Sequence, residues 1–429
     1  MNTLSGHKLH WDCVTIVLII SCIVSIHSTN SEDFCFKNEE NCSLSSKRYL
    51  LYDVNRPEGF NLRRDVYMRL AVLAHKMRQS SNSELNSFSL VLPPWSHLIH
   101  WTYTEYPEQI PWGLYFDLES LKKFAPVIEM YEFFDIYPNK YSKVVIDEVY
   151  NLQHFEDMFE TGNFEERMKI EKCQRTYDNT YLFYKNITAK DVKCLSYHGP
   201  ATKLTELFVN TSAEIILLNH AEVTLHDFFG SKLYWQARRS MRFSKELKLI
   251  ANEFRKTVLN STDASDNTPL PEFWTDEKPK RNAIGGPYVS IHLRRRDFVR
   301  NRPNEAPSLQ TAADQIKQVL KNLDLKTVFV ATDGTQEEFN NLSSFLQEYN
   351  VVKYRAPSQI EKKYKDGGLA IIDQIICSYA RYFIGTHEST FSFRIQEERE
   401  ILGFPVDTTY NVFCTSSGCQ KPSVWEIVY

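Results

Sequence analysis

Four short stretches carry residue types that could act on a phosphate-bearing substrate. The first is Asp53-Val54-Asn55-Arg56-Pro57-Glu58-Gly59, in which a carboxylate, Glu58, sits in a glycine-bearing break ahead of a helical pattern. Such a carboxylate can take a proton, and the unpaired N–H groups of a helix start favour an anion beside it. Alone, the stretch fits a solvated loop acid better than a base. The second is Arg294-Arg295-Arg296-Asp297. A guanidinium fork matches phosphate oxygens and stays charged at any working pH. Alternation puts Arg294 and Arg296 on one side and leaves Arg295 as a solvated surface charge. The third runs from Gly385 to Thr390, where Ser389 or Thr390 caps a helix starting near Phe391. An ordinary cap accounts for one hydroxyl but not for the cluster. The fourth is Asp373 amid Ile371, Ile372, Ile375 and Ile376. It is either a half-exposed helix face or a partner for a base or ribose, and the residues alone favour the former.

Each stretch needs a strand end or a helix end to aim it. Tyr49–Tyr52 is an apolar run long enough for one buried strand. Val66, Leu70, Leu73 and Met77 then fall on one helix face, and Phe88–Leu92 is a second strand closed by Pro93-Pro94. Together they predict a right-handed parallel βαβ unit. The pattern continues with helix and strand material over Asp117–Met130 and Val144–Val149, a strand at Ile215–Leu218, and a helix across 237–259. The polar segment Gln153–Arg175 fits no element. Breakers over Asn260–Pro287 mark a domain junction. Beyond it, strands at Tyr288–Leu293, Lys326–Ala331, Val351–Tyr354 and Tyr382–Gly385 alternate with helices at Leu309–Leu323, Gln336–Tyr349, Gly368–Ala380 and Phe391–Ile401. The expected class is α/β, with two Rossmann-like doubly wound domains. The boundaries are a signal peptide at 1–28, a first domain at 29–262 and a second at 263–429. In such sheets ligands collect at the carboxyl ends of strands, where Glu58, Arg294 and Ser389 all fall.

The 429 residues carry a net charge of −4 without a basic stripe, which argues against a nucleic-acid partner. Val14–Ile26 is apolar over a length that suits a signal-peptide core better than a membrane span. Its removal takes two of the nine cysteines. Six of the remainder fall in sequence-close pairs: Cys35–Cys42, Cys173–Cys194 and Cys414–Cys419. These are the expected disulfides, although six cysteines permit 15 pairings. Cys377 is left as a buried thiol. Asn-X-Ser/Thr triplets stand at Asn41, Asn186, Asn210, Asn260 and Asn341. Together these features place the chain in the secretory pathway. No KDEL-type signal stands at the carboxyl end, and no Asp-X-Asp, GxGxxG, Walker, HExxH or GxSxG motif is found.

The segments RYLLYDVNRPEGFNLRRD, IHLRRRDF, DGGLAIIDQIICSYARYFIGT and STFSFRIQEEREILG resemble the protein O-fucosyltransferase family, from about Arg48 to the last residue. PEGFNLRRD with STFSFRIQEEREILG is a specific pair, whereas H-x-R-x-x-D occurs in several fucosyltransferase families. The resemblance is to the branch that moves fucose from GDP-fucose onto Ser or Thr of folded thrombospondin type 1 repeats. It implies a GT-B fold and an inverting, metal-independent transferase of the endoplasmic reticulum lumen. No cofactor beyond the donor and no membrane span in the mature chain are expected. It makes Glu58 the catalytic base, with Pro57, Gly59, Phe60 and Asn61 lining the sugar nucleotide. His292, Leu293 and Arg294 would hold GDP, Asp373 the nucleoside, and Ser389, Thr390 and Phe391 the phosphate end. Glu398 matches a glutamate essential in the family. Arg56 stands where Pro is expected, and His387-Glu388 replace smaller residues, which bears on fine substrate preference. The alternatives are a luminal binding or quality-control factor for disulfide-bonded repeats, or O-fucosylation of EGF-like repeats. The intact set Glu58, Arg294, Asp373 and Ser389–Phe391 favours an enzyme. The STFSFRIQEERE segment and the long first domain argue against the EGF-directed branch.

Overall fold

The computed structural model describes residues 47–429 apart from 57, 97, 99–100, 102–108, 137–143, 159–164, 177–180, 183, 185, 416–417 and 420–425. The expected signal peptide, Asn41, the Cys35–Cys42 pair and Pro57 lie outside the described residues. Strand β1 (Arg48–Tyr52) is buried at every position, as a strand covered on both faces must be. It is followed by α1 (Phe60–Arg78), which lays Val66, Leu70, Leu73 and Met77 into the core. Next come β2 (Phe88–Leu92), β3 (Val127–Glu129), β4 (Val144–Gln153), β5 (Arg167–Glu171), β6 (Ile187–His198) and β7 (Ile215–Asn219). Among the described residues these strands form one seven-stranded sheet in the order β3-β2-β1-β7-β4-β6-β5. Every pairing is parallel except β5 with β6.

Two helices, α2 (Lys232–Ser240) and α3 (Lys245–Leu259), lead to β8 (Gly286–Leu293). Then follow α4 (Arg296–Asn301), α5 (Leu309–Asn322), β9 (Thr327–Thr332), α6 (Gln336–Phe345), β10 (Asn350–Val352), α7 (Ser358–Ser378), β11 (Ala380–Ile384) and α8 (Thr390–Leu402). The second sheet is four-stranded and wholly parallel, in the order β10-β9-β8-β11. One apolar core runs without a break from β1 and α1, through Trp95, Trp112 and Trp235, to Phe329, Ile372 and Phe383. Separate clusters cover the opposite face of each sheet.

Three expectations about elements are corrected. The polar segment after Gln153 contains β5, an edge strand with charged, part-exposed side chains that resist further pairing. Cys173, just past its end, is joined to Cys194 of β6. The helix expected across 237–259 is broken between Ser240 and Lys245, where Phe243 pairs with Phe116 instead. Residues 117–130 form a short helix and then β3, with Pro126 between them rather than one continuous helix. Cys414–Cys419 is closed and Cys377 is a buried free thiol. Asn210, Asn260 and Asn341 are exposed, and Asn186 is half-buried. Among the described residues no helix is long and apolar enough to cross a membrane.

Candidate active site

The carboxyl ends of β1 and β8 open on one cavity of about 490 Å³. Its first wall comes from the loop after β1. Asp53 N–H stays tied to Leu218 O of β7 (3.0 Å), and a turn then closes from Glu58 N–H to Asn55 O (3.0 Å). Gly59 precedes α1 in extended backbone, and no acid stands in the helix's first turn. The first-turn N–H groups are therefore available to an anion. Glu58, Gly59, Phe60, Asn61 and Leu62 all line the cavity. Burial raises the Glu58 carboxyl above its ordinary pKa; the neighbouring Glu222 adds to this, and Arg63 opposes it.

Asn61 is held by a clamp across the two sheets. Gln374 Nε2 of α7 donates to Asn61 Oδ1 (2.9 Å), and Arg64 Nη1 donates to both Asn61 Oδ1 (3.2 Å) and Gln374 Oε1 (2.8 Å). Arg64 itself is buried among the rings of Phe60, Phe116 and Phe243.

The opposite wall comes from β8 and the loop after β11. His292 is buried, its ring stacked on Phe391 at 4.3 Å between centroids. Burial, helped by Arg294, pushes its pKa down to about 3, so the ring is neutral at working pH. Ser392 Oγ receives the Thr386 N–H (2.9 Å) and lies 2.9 Å from His292 Nδ1. That hydroxyl can donate to Nδ1, which leaves Nε2–H as a donor to the cavity. Thr386 Oγ1 donates to His292 O (2.8 Å) and accepts the Arg294 N–H (3.0 Å), which fixes the end of β8. A Cβ at Gly385 would lie 2.7 Å from Ser392 Oγ, so only glycine admits this hydroxyl.

Arg294 points into the cavity between Asp297 Oδ1 (2.6 Å) and Asp333 Oδ2 (2.7 Å). Arg296 lines the same wall, as alternation predicted, although β8 ends at Leu293. Arg295 is not the solvated charge expected. Its Nε donates to Glu338 Oε1 (2.8 Å) and its Nη1 to Pro307 O (2.9 Å), because the chain has left the strand and turns into α4 at this residue. Leu293 is not in the lining either; its side chain is in the core of the second sheet and its carbonyl accepts from Thr332 Oγ1 (2.6 Å). Ser389, Thr390 and Phe391 line the cavity where α8 begins. Ser389 holds the N-cap position but makes no side-chain cap bond.

Asp373 is half-buried, as its helix pattern favoured, and its open side lines the cavity. Its Oδ1 is buried with no hydrogen-bond partner among the described residues, and burial pushes the carboxyl up to about 7 against the pull of Lys353. Glu398 is outside the lining. It lies two turns along α8, its Oε2 2.9 Å from Arg238 Nη2. Next to it, Glu397 is fully buried, taking Arg238 Nε at 2.7 Å, Arg394 Nη2 at 2.9 Å and the Tyr234 hydroxyl. Sequence reasoning missed Trp101, Asp297, Asp333, Asp366 and Glu388 as lining residues. Two of these carried a signal: Asp333, as an Asp-Gly at a strand's carboxyl end, and Asp297, as the acid of the H-x-R-x-x-D pattern. Ligand atoms of Glu305, His387 and Glu388 lie within 4.8 Å of one another. Arg302 Nη1, 2.5 Å from Glu388 Oε2 and 3.3 Å from Glu305 Oε2, already supplies a cation there.

A carboxylate facing arginines and two helix starts across one cleft is the equipment of a transferase acting on an anionic leaving group. The fold is GT-B. A structure of POFUT1 in complex with GDP-fucose matches 86% of this chain and 98% of its own, with a TM-score of 0.55 at 17% identity. The POFUT1–GDP complex gives 0.54 at 18% identity, with the same coverage. The family model for GDP-fucose protein O-fucosyltransferase matches residues 49–402. Proteins named GDP-fucose protein O-fucosyltransferase 2 are 43% identical in Homo sapiens and 41% in Caenorhabditis elegans, each over 90% of this chain and 91% of the relative. The chain belongs to the GDP-fucose protein O-fucosyltransferase family and is a fucosyltransferase.

Proposed function

We propose that this chain transfers fucose from GDP-fucose to Ser or Thr hydroxyls of folded thrombospondin type 1 repeats. The transfer inverts the anomeric carbon, needs no metal ion and takes place in the endoplasmic reticulum lumen. The observation that carries this reading is the single cavity with Glu58 on one wall and His292, Arg294 and the start of α8 on the other. Inversion requires one in-line attack, so a base and a leaving-group stabiliser on opposite sides suffice. The acceptor oxygen bonds to the anomeric carbon as the bond to the β-phosphate oxygen breaks. Glu58 takes the hydroxyl proton, and its raised pKa makes it a stronger acceptor for that proton. Charge gathering on GDP meets Arg294, Arg296, the His292 N–H and the α8 N-terminus, a preorganised set of the kind that supplies most transition-state stabilisation. These cationic and dipolar groups supply the charge that a divalent ion would otherwise bring. Asp373, with its unpartnered oxygen, is the acceptor for the nucleoside.

Glu398 acts through position: its pairing with Arg238 links α8 to α2. The division of labour follows the sheets, with the acceptor and base on the 29–262 side and the nucleotide on the 263–429 side. The test is transfer of labelled fucose from GDP-fucose to a folded thrombospondin type 1 repeat and to an EGF-like repeat, in excess chelator. Transfer to the first alone is expected. Transfer to the second would move the chain to the EGF-directed branch, and loss of transfer in chelator would refute metal independence.

A further inference from the structure

The turn that carries Glu58 is held from two sides by charged groups that do not themselves line the cavity. Glu222 lies in the short turn Ala221–Val223 after β7. Its Oε2 accepts the Asn55 N–H at 3.0 Å, and Asn55 O accepts the Glu58 N–H at 3.0 Å. On the other side Arg63 Nε donates to Glu58 O (3.1 Å) and Nη2 to Arg56 O (3.3 Å). Glu222 cannot swing aside freely. Ala221 N–H donates to Asp53 O (2.9 Å), and Glu222 Oε1 lies 3.1 Å from His220 Nδ1. His220 has left-handed backbone (φ 60°), which turns the chain so that Glu222 comes back toward β1.

We propose that Glu222 is a positioning residue for the transfer: its carboxylate anchors the Glu58-bearing turn and keeps a negative charge beside the base. The role rests on Glu58 being that base. A neutral acceptor would anchor the Asn55 N–H equally well, so the charge is the distinguishing element. Around Glu222 stand Asp53 at the end of β1, Arg63 and Arg69 from α1, His154 after β4, and His220 backed by Arg175. Sharing the cavity lining with Glu58 are His292, Arg294, Arg296, Asp297, Asp333, Asp366, Asp373 and Glu388. Burial is the larger influence on the Glu58 carboxyl, Glu222 raises it further, and Arg63 pulls the other way. As the acceptor proton arrives, Glu58 becomes neutral and its repulsion from Glu222 disappears. The charge thus favours the protonated state that the reaction produces.

Glu222→Gln keeps an oxygen for Asn55 and removes the charge, whereas Glu222→Ala removes both. With GDP-fucose and a folded repeat as substrates, the acid limb of the kcat/KM profile of Glu222→Gln should move to lower pH by about 0.5 unit. Glu222→Ala should lose roughly tenfold or more in kcat as the base drifts, with GDP affinity by calorimetry within about twofold of wild type. An acid limb that stays in place or moves to higher pH in Glu222→Gln overturns the proposal. So does a Glu222→Ala variant that loses GDP affinity in step with kcat, which would mark a general collapse of the cleft. Glu58→Gln run alongside separates the two readings. If it keeps turnover, the base assignment falls and this role with it. If it is inactive while the Glu222→Gln limb is unmoved, only the role of Glu222 falls.

Discussion

Replacing Arg294 by Ala should weaken GDP binding far more than it weakens guanosine binding. In the free protein the guanidinium sits 2.6 Å from Asp297 and 2.7 Å from Asp333, with 17% of the side chain exposed. Three charges then share one small volume with a net of −1, and in the proposed role Arg294 is the group that admits a diphosphate. Its removal does two things at once. It deletes charge-assisted hydrogen bonds to phosphate, worth about 1.5–3 kcal/mol each. It also bares two carboxylates to each other and to the incoming anion, a like-charge penalty of about 1–2 kcal/mol at a partly hydrated site. With one such bond the sum is about 2.5–5 kcal/mol, or roughly a 60- to 4,000-fold loss of GDP affinity. Calorimetry with GDP, and separately with guanosine, measures it, because guanosine lacks the phosphates and should bind the variant within about threefold of wild type. Adding Asp333→Asn to Arg294→Ala should recover part of the loss by removing one repelling charge. A GDP affinity within threefold of wild type, or equal losses for GDP and guanosine, would refute the assignment.

Asp373→Asn tests the proposed nucleoside contact and has a pH signature. Burial raises this carboxyl to about 7 in the folded chain against about 3.9 unfolded. The folded state therefore holds its proton more tightly, and stability falls as pH rises from about 4 through 7. The Asn variant, which does not titrate, should melt with the wild type near pH 4 and above it at pH 8, by on the order of 1–4 kcal/mol, while losing nucleoside affinity; equal melting at both pH values would contradict the buried, unpartnered carboxyl. Neighbouring glutamates on α8 should separate. Glu397→Ala takes the shared buried carboxylate from Arg238 and Arg394, leaving Glu398 and Asp65 as their remaining acids, and should cost about 3–5 kcal/mol of stability in denaturant titration, whereas Glu398→Ala should keep most of the stability and lose kcat. If both variants lose stability equally, the positional role of Glu398 fails.

The parallel strands and the helices between them were legible because buried parallel strands read as apolar runs and α1 repeats at helical spacing. Glu58, Arg294 and Ser389 were legible as candidates because each stands where a strand ends or a helix begins. Asp373 was not, since helix periodicity says which residues share a face but not that a second sheet closes a cavity over it. Arg64 and Glu397 look like surface charges in sequence, yet each is buried because partners from distant segments surround it. Edge strand β5 gave no signal, since both its faces meet solvent and charge. Glu222 had none either, because its contact with Asn55 depends on β7 lying next to β1. Arg295 was misjudged by extending strand alternation past the end of β8.

The proposed transfer turns on Glu58 as the base, and Glu58→Gln tests that most directly. The substitution keeps the shape of the side chain and removes its ability to take a proton. Fucose transfer to a folded thrombospondin type 1 repeat should fall by more than about 10²-fold while GDP affinity stays within about threefold of wild type. Transfer within tenfold of wild type would contradict the account, because the acceptor proton would then be leaving by another route.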